Sequence, residues 1–293
     1  MSGRHLILAM LVNLFWGLNF LAARFAVDEM PPVLAASLRF LIVLLVLLPF
    51  LKPEKGHMRA LLKTALVIGV FHFGLLYVGI AWTKDLSVVA VGTLMNVPFA
   101  TLLAVAVLGE RIGAQRTAGI VIAVAGVVIL SFNPRVLDYI DGLLIVLVAV
   151  FGYAVGIIMM RRLPGVHPLS LQAWMALLCF PILLGISLMV ESGQLMALET
   201  ASAWAYGGIV FSALGASVIG HGLNFYLLQR YPVTTVAPLT LLSQLVAIVG
   251  GLVVFDDVLK PGMIVGGIFI FAGVAVVSYR NRKRSLDTEI TAG

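Results

Sequence analysis

Charge is scarce in this sequence. Only 11% of its 293 residues are Asp, Glu, Lys or Arg, while 61% are apolar and the mean hydropathy is +1.11. An ordinary soluble domain is about 25% charged and about 45–50% apolar. This chain therefore has more apolar surface than a water-soluble core can hide, and it belongs in a bilayer; disordered, collagenous and disulfide-rich classes fall with the same numbers. Cysteine is nearly absent too. The one thiol, Cys179, lies inside an apolar stretch, which excludes a disulfide framework and a cysteine-ligated metal site within one chain, and predicts a lipid- or helix-packed core residue. Catalytic constellations are missing as well: there is no intramembrane aspartate pair, no His-Glu-x-x-His and no serine with a base nearby. An enzyme is not expected, nor any cofactor or metal. The sequence also shows no filter motif or charged ring of the sort a channel uses.

What is present is a series of apolar stretches of spanning length, each bounded by charge or by Pro and Gly. A spanning helix needs roughly 20 apolar residues. Ten such stretches occur, near 5–27, 32–51, 60–82, 86–108, 114–132, 141–161, 168–190, 203–229, 233–255 and 261–279. They are apolar almost all round and lack the period-two alternation of barrel strands, so the fold class expected is an all-α polytopic membrane protein with ten transmembrane helices. The longest connections, Phe50 to Arg59 and Glu191 to Ala201, leave no room for a soluble domain, so residues 1–293 form a single membrane domain. The first stretch is too long for a signal-peptide core and has no Ala-x-Ala pattern before its charged end, so it is expected to be retained.

Basic residues set the orientation. With the N-terminus inside, Arg4, Lys52, Lys55, Arg59, Lys63, Arg111, Arg116, Arg161, Arg162, Arg230, Arg280, Arg282, Lys283 and Arg284 all face the cytoplasm, and only Lys84, Arg135 and Lys260 face outward. This bias predicts cytoplasmic termini. The net charge of +6 is then a topology signal and not a nucleic-acid surface. Residues 280–293 form a basic cytoplasmic tail that can also touch anionic headgroups of the surrounding lipid bilayer.

Sliding the chain on itself by 147 residues aligns Val89–Ser131 with Val236–Ser278 without a gap. Ala90 meets Ala237, Thr93 meets Thr240, Leu94 meets Leu241, Ala100 meets Ala247, Gly119 meets Gly266 and Gly126 meets Gly273, while Glu110 falls on Asp257. The first two spans overlay spans six and seven, Phe15 on Phe151 and Arg39 on Trp174. Residues 5–132 and 141–279 are thus read as two five-helix repeats. Five is odd, so the second enters the membrane from the opposite side. Inverted repeats of this kind are the architecture of secondary transporters, whose mirrored halves expose a midplane site to each side in turn.

Trp16-Gly17-Leu18-Asn19-Phe20 in the first span, Arg39-Phe40 in the second, and Leu108-Gly109-Glu110-Arg111 ahead of Gly119 and Gly126 carry a resemblance to the EamA family of the drug/metabolite transporter superfamily. The resemblance covers nearly the whole chain. It implies a ten-helix bundle that moves small metabolites, often amino acids or drug-like compounds and commonly outward, with aromatic amino acid exporters the first members to compare. The second repeat departs from the motif: Asp256-Asp257-Val258 stands where the first has Gly109-Glu110-Arg111.

Polar groups at membrane depth are costly and face the bundle interior, so they are the candidates for binding a small-molecule substrate. Asn13, Trp16, Asn19 and Phe20 recur at helical spacing in the first span as one polar-aromatic stripe; Ser217, His221 and Asn224 do so in the eighth. His72 is central in span three, and Asn96 and the pair Ser243-Gln244 take mirrored places in spans four and nine. Tyr77, Tyr153 and Trp174 add amphipathic rings, and Tyr226 another. These residues would replace substrate hydration and stack on its apolar or cationic parts; the plainer alternative is that each Asn, Ser or Gln ties two helices together. Pro98 in span four is a candidate hinge, because it removes one backbone bond and frees the carbonyl of Leu94. Arg24 can pair with Asp28 one turn on. Arg39 has no local partner, so it is expected to face the bundle and hold a carboxylate or a backbone carbonyl with its planar fork, besides being a candidate substrate ligand.

All thirteen acidic residues lie in loops, at helix ends or in the tail. With no carboxylate at the midplane, His72 and His221 are the only groups there with an ordinary pKa near neutrality. The reading that follows is export or facilitated diffusion by alternating access in a bacterial inner membrane, driven by the substrate gradient. The alternative is a proton-coupled multidrug exporter that uses the two histidines. Glu110 is read as a structural clasp beside Arg111. The oligomeric state is left open, and a monomer is compatible with all of this.

Overall fold

The computed structural model describes residue 1 and residues 3–83, 86–110, 112–131 and 139–255, and in the last expected span residues 261–262, 264–269, 271–273 and 276. Among the described residues all regular structure is helical. Six helices are long and apolar enough to cross a membrane: α1 (Gly3–Glu29), α2 (Pro32–Phe50, its last turn 3₁₀), α3 (Met58–Thr83), α7 (Ile140–Arg161), α8 (Pro168–Val190) and α10 (Ala203–Arg230). The 27 residues of α1 reach about 40 Å at the helical rise. Side chains such as Ile7, Leu45, Val148 and Leu188 point away from the bundle, as lipid-facing positions must in a multi-pass membrane protein.

Chain punctuation sets where these helices start. Pro32 opens α2 and Pro168 opens α8, where the missing N–H costs nothing and φ is preset. His167 caps α8 by accepting the Leu169 N–H (3.2 Å), and Ser202 caps α10 by accepting that of Ala205 (3.3 Å). Arg24 pairs with Asp28 at 2.7 Å, as the spacing implied.

The spans expected at 86–108 and 233–255 are each interrupted. The first comprises α4 (Leu86–Thr93) and α5 (Asn96–Leu108), separated at Leu94-Met95. The second comprises α11 (Val233–Val236), a 3₁₀ turn (Ala237–Leu241) and α12 (Leu242–Val254). With the 147-residue offset the two breaks overlap, Leu94 falling on Leu241, the last residue of the 3₁₀ turn. Pro98 does not free the Leu94 carbonyl as expected, because Val97 N–H reaches it at 3.2 Å. Two further irregularities were not foreseen: α3 is π-helical over Leu66–Phe73 and α10 over Ser212–His221, again at matching places in the repeats. The expected loop 191–201 contains a short helix, α9 (Gln194–Thr200), that follows a left-handed Gly193. The fifth expected span is α6 (Ala114–Ser131), and residues 264–269 and 271–273 of the tenth are helical. Arg135, Asp256, Asp257 and the tail 280–293 lie outside the described residues, as does Arg111.

Packing between the halves is reciprocal. α1 packs on α10 and α12, while α7, its counterpart in the second repeat, packs on α3 and on α4 and α5; α2 and α8, also counterparts, pack on each other. The first helix of each half is thus gripped by the third and fourth of the other. Glycine permits the closest approaches: a Cβ on Gly208 would stand 2.2 Å from the Ala22 carbonyl oxygen, and one on Gly17 2.3 Å from Val246 Cβ. Cys179 is fully buried, packed over Gly69 and near the Ala65 carbonyl, as a core residue.

Candidate functional site

Where α1, α3, α4, α5, α7, α10 and α12 meet they surround a cavity that holds about 650 Å³ of space between atoms, open mouth included. Both interrupted spans deliver polar groups to it at their breaks. Thr93 and Asn96 come from the first repeat, and their sequence mates Thr240 and Ser243 come from the second. The two threonines even share a local bond, each hydroxyl donating to the carbonyl three residues back, Ala90 or Ala237. Residues three apart share a helix face, so each pair flanks its break and points the same way.

An aromatic wall faces these groups. Trp16 lies 4.6 Å from the His221 ring and 6.1 Å from Tyr153, and His72 lies 4.7 Å from Tyr153. Gly220 leaves room for the indole: a Cβ there would be 2.7 Å from its ring. His72 Nδ1 is 2.9 Å from the Ala149 carbonyl, which only accepts, so Nδ1 carries the proton. The Tyr153 hydroxyl accepts from Asn224 Nδ2 (3.2 Å). Both histidines sit in the last turn of a π-helical segment.

Several buried polar atoms at this cavity have no hydrogen-bond partner among the described residues. They are Trp16 Nε1, Asn19 Oδ1, Asn96 Oδ1, Gln244 Oε1 and His221 Nδ1. Unpaired buried groups cost about 1–3 kcal/mol each, and five of them lining one cavity are a site prepared for a polar solute or water.

Of the residues singled out from the sequence, Trp16, Asn19, Phe20, His72, Asn96, Tyr153, His221, Ser243 and Gln244 line the cavity. The others do not. Asn13 donates to the Ala9 carbonyl (2.7 Å) and accepts the Ser243 N–H (2.9 Å), so it ties α1 to the start of α12. Six residues at about 100° each leave Asn13 and Asn19 about 120° apart, which is why one stripe serves two neighbours. Asn224 acts through Tyr153. Trp174 donates to the Lys52 carbonyl (2.9 Å), in the connection after α2, which holds it away from the cavity. Pro98 is buried beside the break without lining the cavity. Arg39 and Tyr77 lie behind Phe73, which forms part of the wall. Among the described residues Arg39 holds neither a carboxylate nor a carbonyl; its Nε donates to the Ser217 hydroxyl at 2.8 Å. Glu110 accepts the Val233 N–H (3.1 Å) and so clasps the end of α5 to the start of α11.

The EamA-like transporter family model matches residues 3–132 and again 140–279. The chain belongs to the EamA-like transporter family. Two relatives of this EamA protein are described as probable amino-acid metabolite efflux pumps. The one from Salmonella typhimurium is 30% identical over 97% of this chain and 98% of its own. The other, from Escherichia coli, is 28% identical over 94% and 95%. A third, an uncharacterized inner membrane transporter of Escherichia coli, YedA, is 26% identical over 90% and 87%. A solved crystal structure superposes with a TM-score of 0.73 at 15% identity, covering 97% of this chain and 99% of that one, which establishes a shared fold. The family's two copies per chain meet at the cavity.

Sequence reasoning missed Phe73, Leu76, Ile80 and Val150, apolar cavity residues with no mark to separate them from lipid-facing ones. Thr93 and Thr240 carried a signal that was not used: among the identities between the repeats quoted above, theirs is the polar pair.

Proposed function

We propose that this EamA protein exports small amino-acid-like metabolites across a bacterial inner membrane by alternating access, as a ten-span bundle of two inverted five-helix repeats with both termini in the cytoplasm. The observation that carries the reading is the set of unpartnered polar atoms on Trp16, Asn19, Asn96, His221 and Gln244, drawn from both repeats to one cavity beside aromatic faces. Side-chain amides can give and take hydrogen bonds from a zwitterion, and the rings cover its apolar part. The efflux-pump descriptions of the relatives agree in class. With no carboxylate in the middle of a span, the substrate gradient drives transport. The test is counterflow in proteoliposomes with a panel of labelled amino acids and lipophilic cations. Exchange of an amino acid by the wild type is the expected result, and a loss of roughly tenfold or more in Trp16→Ala and Asn19→Ala corresponds to at least one lost binding interaction.

A second reading, a proton-coupled multidrug exporter, is favoured by the placement of His72 and His221 in the cavity wall at the ends of matching π-helical segments. The lipophilic cations in the panel, tested with and without a pH gradient, separate the two.

A further inference from the structure

Arg39 is fully buried, with 0% of its surface exposed, and lies seven residues into α2. A guanidinium stays protonated in any protein environment. Its Nε is satisfied by Ser217, and its Cζ lies 4.3 Å from the centroid of the Phe73 ring. Nη1 and Nη2 have no hydrogen-bond partner among the described residues. One hydroxyl and one aromatic face do not replace the hydration of a cation at this depth. The sequence offers no carboxylate in the middle of a span, and among the described residues none pairs with Arg39, which leaves the site able to take an anion from outside the chain.

The surroundings suit an anion better than a second cation. The hydroxyls of Tyr77 and Ser212 are also unpartnered, and each can donate. Tyr77 packs within 6.0 Å of the guanidinium, and Ser212 accepts at its carbonyl from the same Ser217 hydroxyl that receives Arg39. Both π-helical segments take part: Phe73 is the last residue of one, and Ser217 lies within the other. Phe73 lines the cavity and also lies over Arg39. A π-to-α change of one residue in register turns a side chain by about 100°, enough to move this ring from between them.

We propose that Arg39 is an anion site reached from the cavity past Phe73, and that it takes a small singly charged anion on the free edge of its guanidinium. Two sources share that chemistry, the carboxylate of a transported solute and a free halide. The meaning of the first rests on the transport reading given above; binding itself does not.

The test uses the full chain in lipid nanodiscs, with thermal unfolding followed by tryptophan fluorescence in sodium gluconate at constant ionic strength. Replacing gluconate by about 0.1 M acetate or chloride is expected to raise the midpoint by about 3 °C in the wild type, as a ligand of the native state does. The rise should vanish in Arg39→Gln. A response to acetate alone assigns the site to a carboxylate, and a response to chloride assigns it to a halide. No response to either anion in the wild type, or a full response retained in Arg39→Gln, overturns the proposal. Phe73→Leu keeps the charge and removes the covering ring, so it must shift the anion concentration at half-response; an unchanged response there also counts against the site, even where Arg39→Gln does not fold. Because the readout is binding, a failed flux assay beside an intact anion response defeats the transport reading alone, and the converse defeats this one alone.

Discussion

Asn13 and Asn19 belong to one helix and one polar stripe, yet they do opposite work. Both polar ends of the Asn13 side chain are paired: it gives to Ala9 and takes from the backbone of Ser243 at the start of a broken helix. Removing it leaves a buried N–H without a partner. Asn13→Ala is therefore expected to lower stability by about 1 kcal/mol, the scale of interhelical bonds in membranes, read as an earlier midpoint in denaturant unfolding. Asn19 has its oxygen unpaired, so Asn19→Ala should leave that midpoint within about 0.5 kcal/mol while substrate exchange falls. If both variants lose stability equally, Asn19 is a packing residue after all. Gly220→Ala probes the same face from the other side. Its methyl would displace the Trp16 ring, and the expected outcome is reduced exchange with the protein still inserted in the membrane.

At the scale of elements, the features that build the site are irregular ones: two broken spans and two π-helical segments, each pair matched across the repeats. The breaks do not follow from a proline at a fixed place. Pro98 stands four residues after Leu94, but the corresponding position in the second repeat is Leu245, and the break is there all the same. Pro98→Ala restores an N–H whose helical acceptor would be Leu94, in competition with the bond from Val97. The prediction is a straighter span and slower exchange at equal protein abundance. An unchanged rate would show that the break, and not its proline, is what transport requires. Neither π segment was legible in the sequence, because one extra residue in a turn leaves no pattern of side chains. The breaks were half legible, since Pro98 and the Thr93–Thr240 match both lay beside them.

For the whole molecule, orientation and energy source are the open quantities. In a Cys179→Ala background, cysteines placed at Glu54 and Gly165 should react with a membrane-impermeant reagent only from the cytoplasm, and one at Glu199 only from outside. Labelling of the Gly165 and Glu199 positions from the same side would sink the inverted repeat. Energy coupling follows from where charge is absent. A carrier that moves a proton each cycle needs a group that binds it in one state and releases it in another, and the sequence places no carboxylate in the middle of a span. Substrate should therefore equilibrate across proteoliposomes at equal pH on both sides. Accumulation driven by a pH gradient and lost in the His72→Gln, His221→Gln double variant would make the histidines a proton relay.

The membrane class, the family, the paired repeats and most of the cavity's polar residues were legible in the chain itself, because lipid imposes its demands locally: a span must be apolar for its whole length, and a polar residue within it needs an interior to face. Which partner each polar residue found was decided only by the fold. Trp174 reached a loop carbonyl, Asn13 capped a helix, and Arg39 was set behind Phe73 instead of in the cavity wall. Those outcomes depend on how far along and how far around its helix each residue stands once α1 and α7 are seated in the opposite halves, and spacing within one span does not encode the position of the helix beside it.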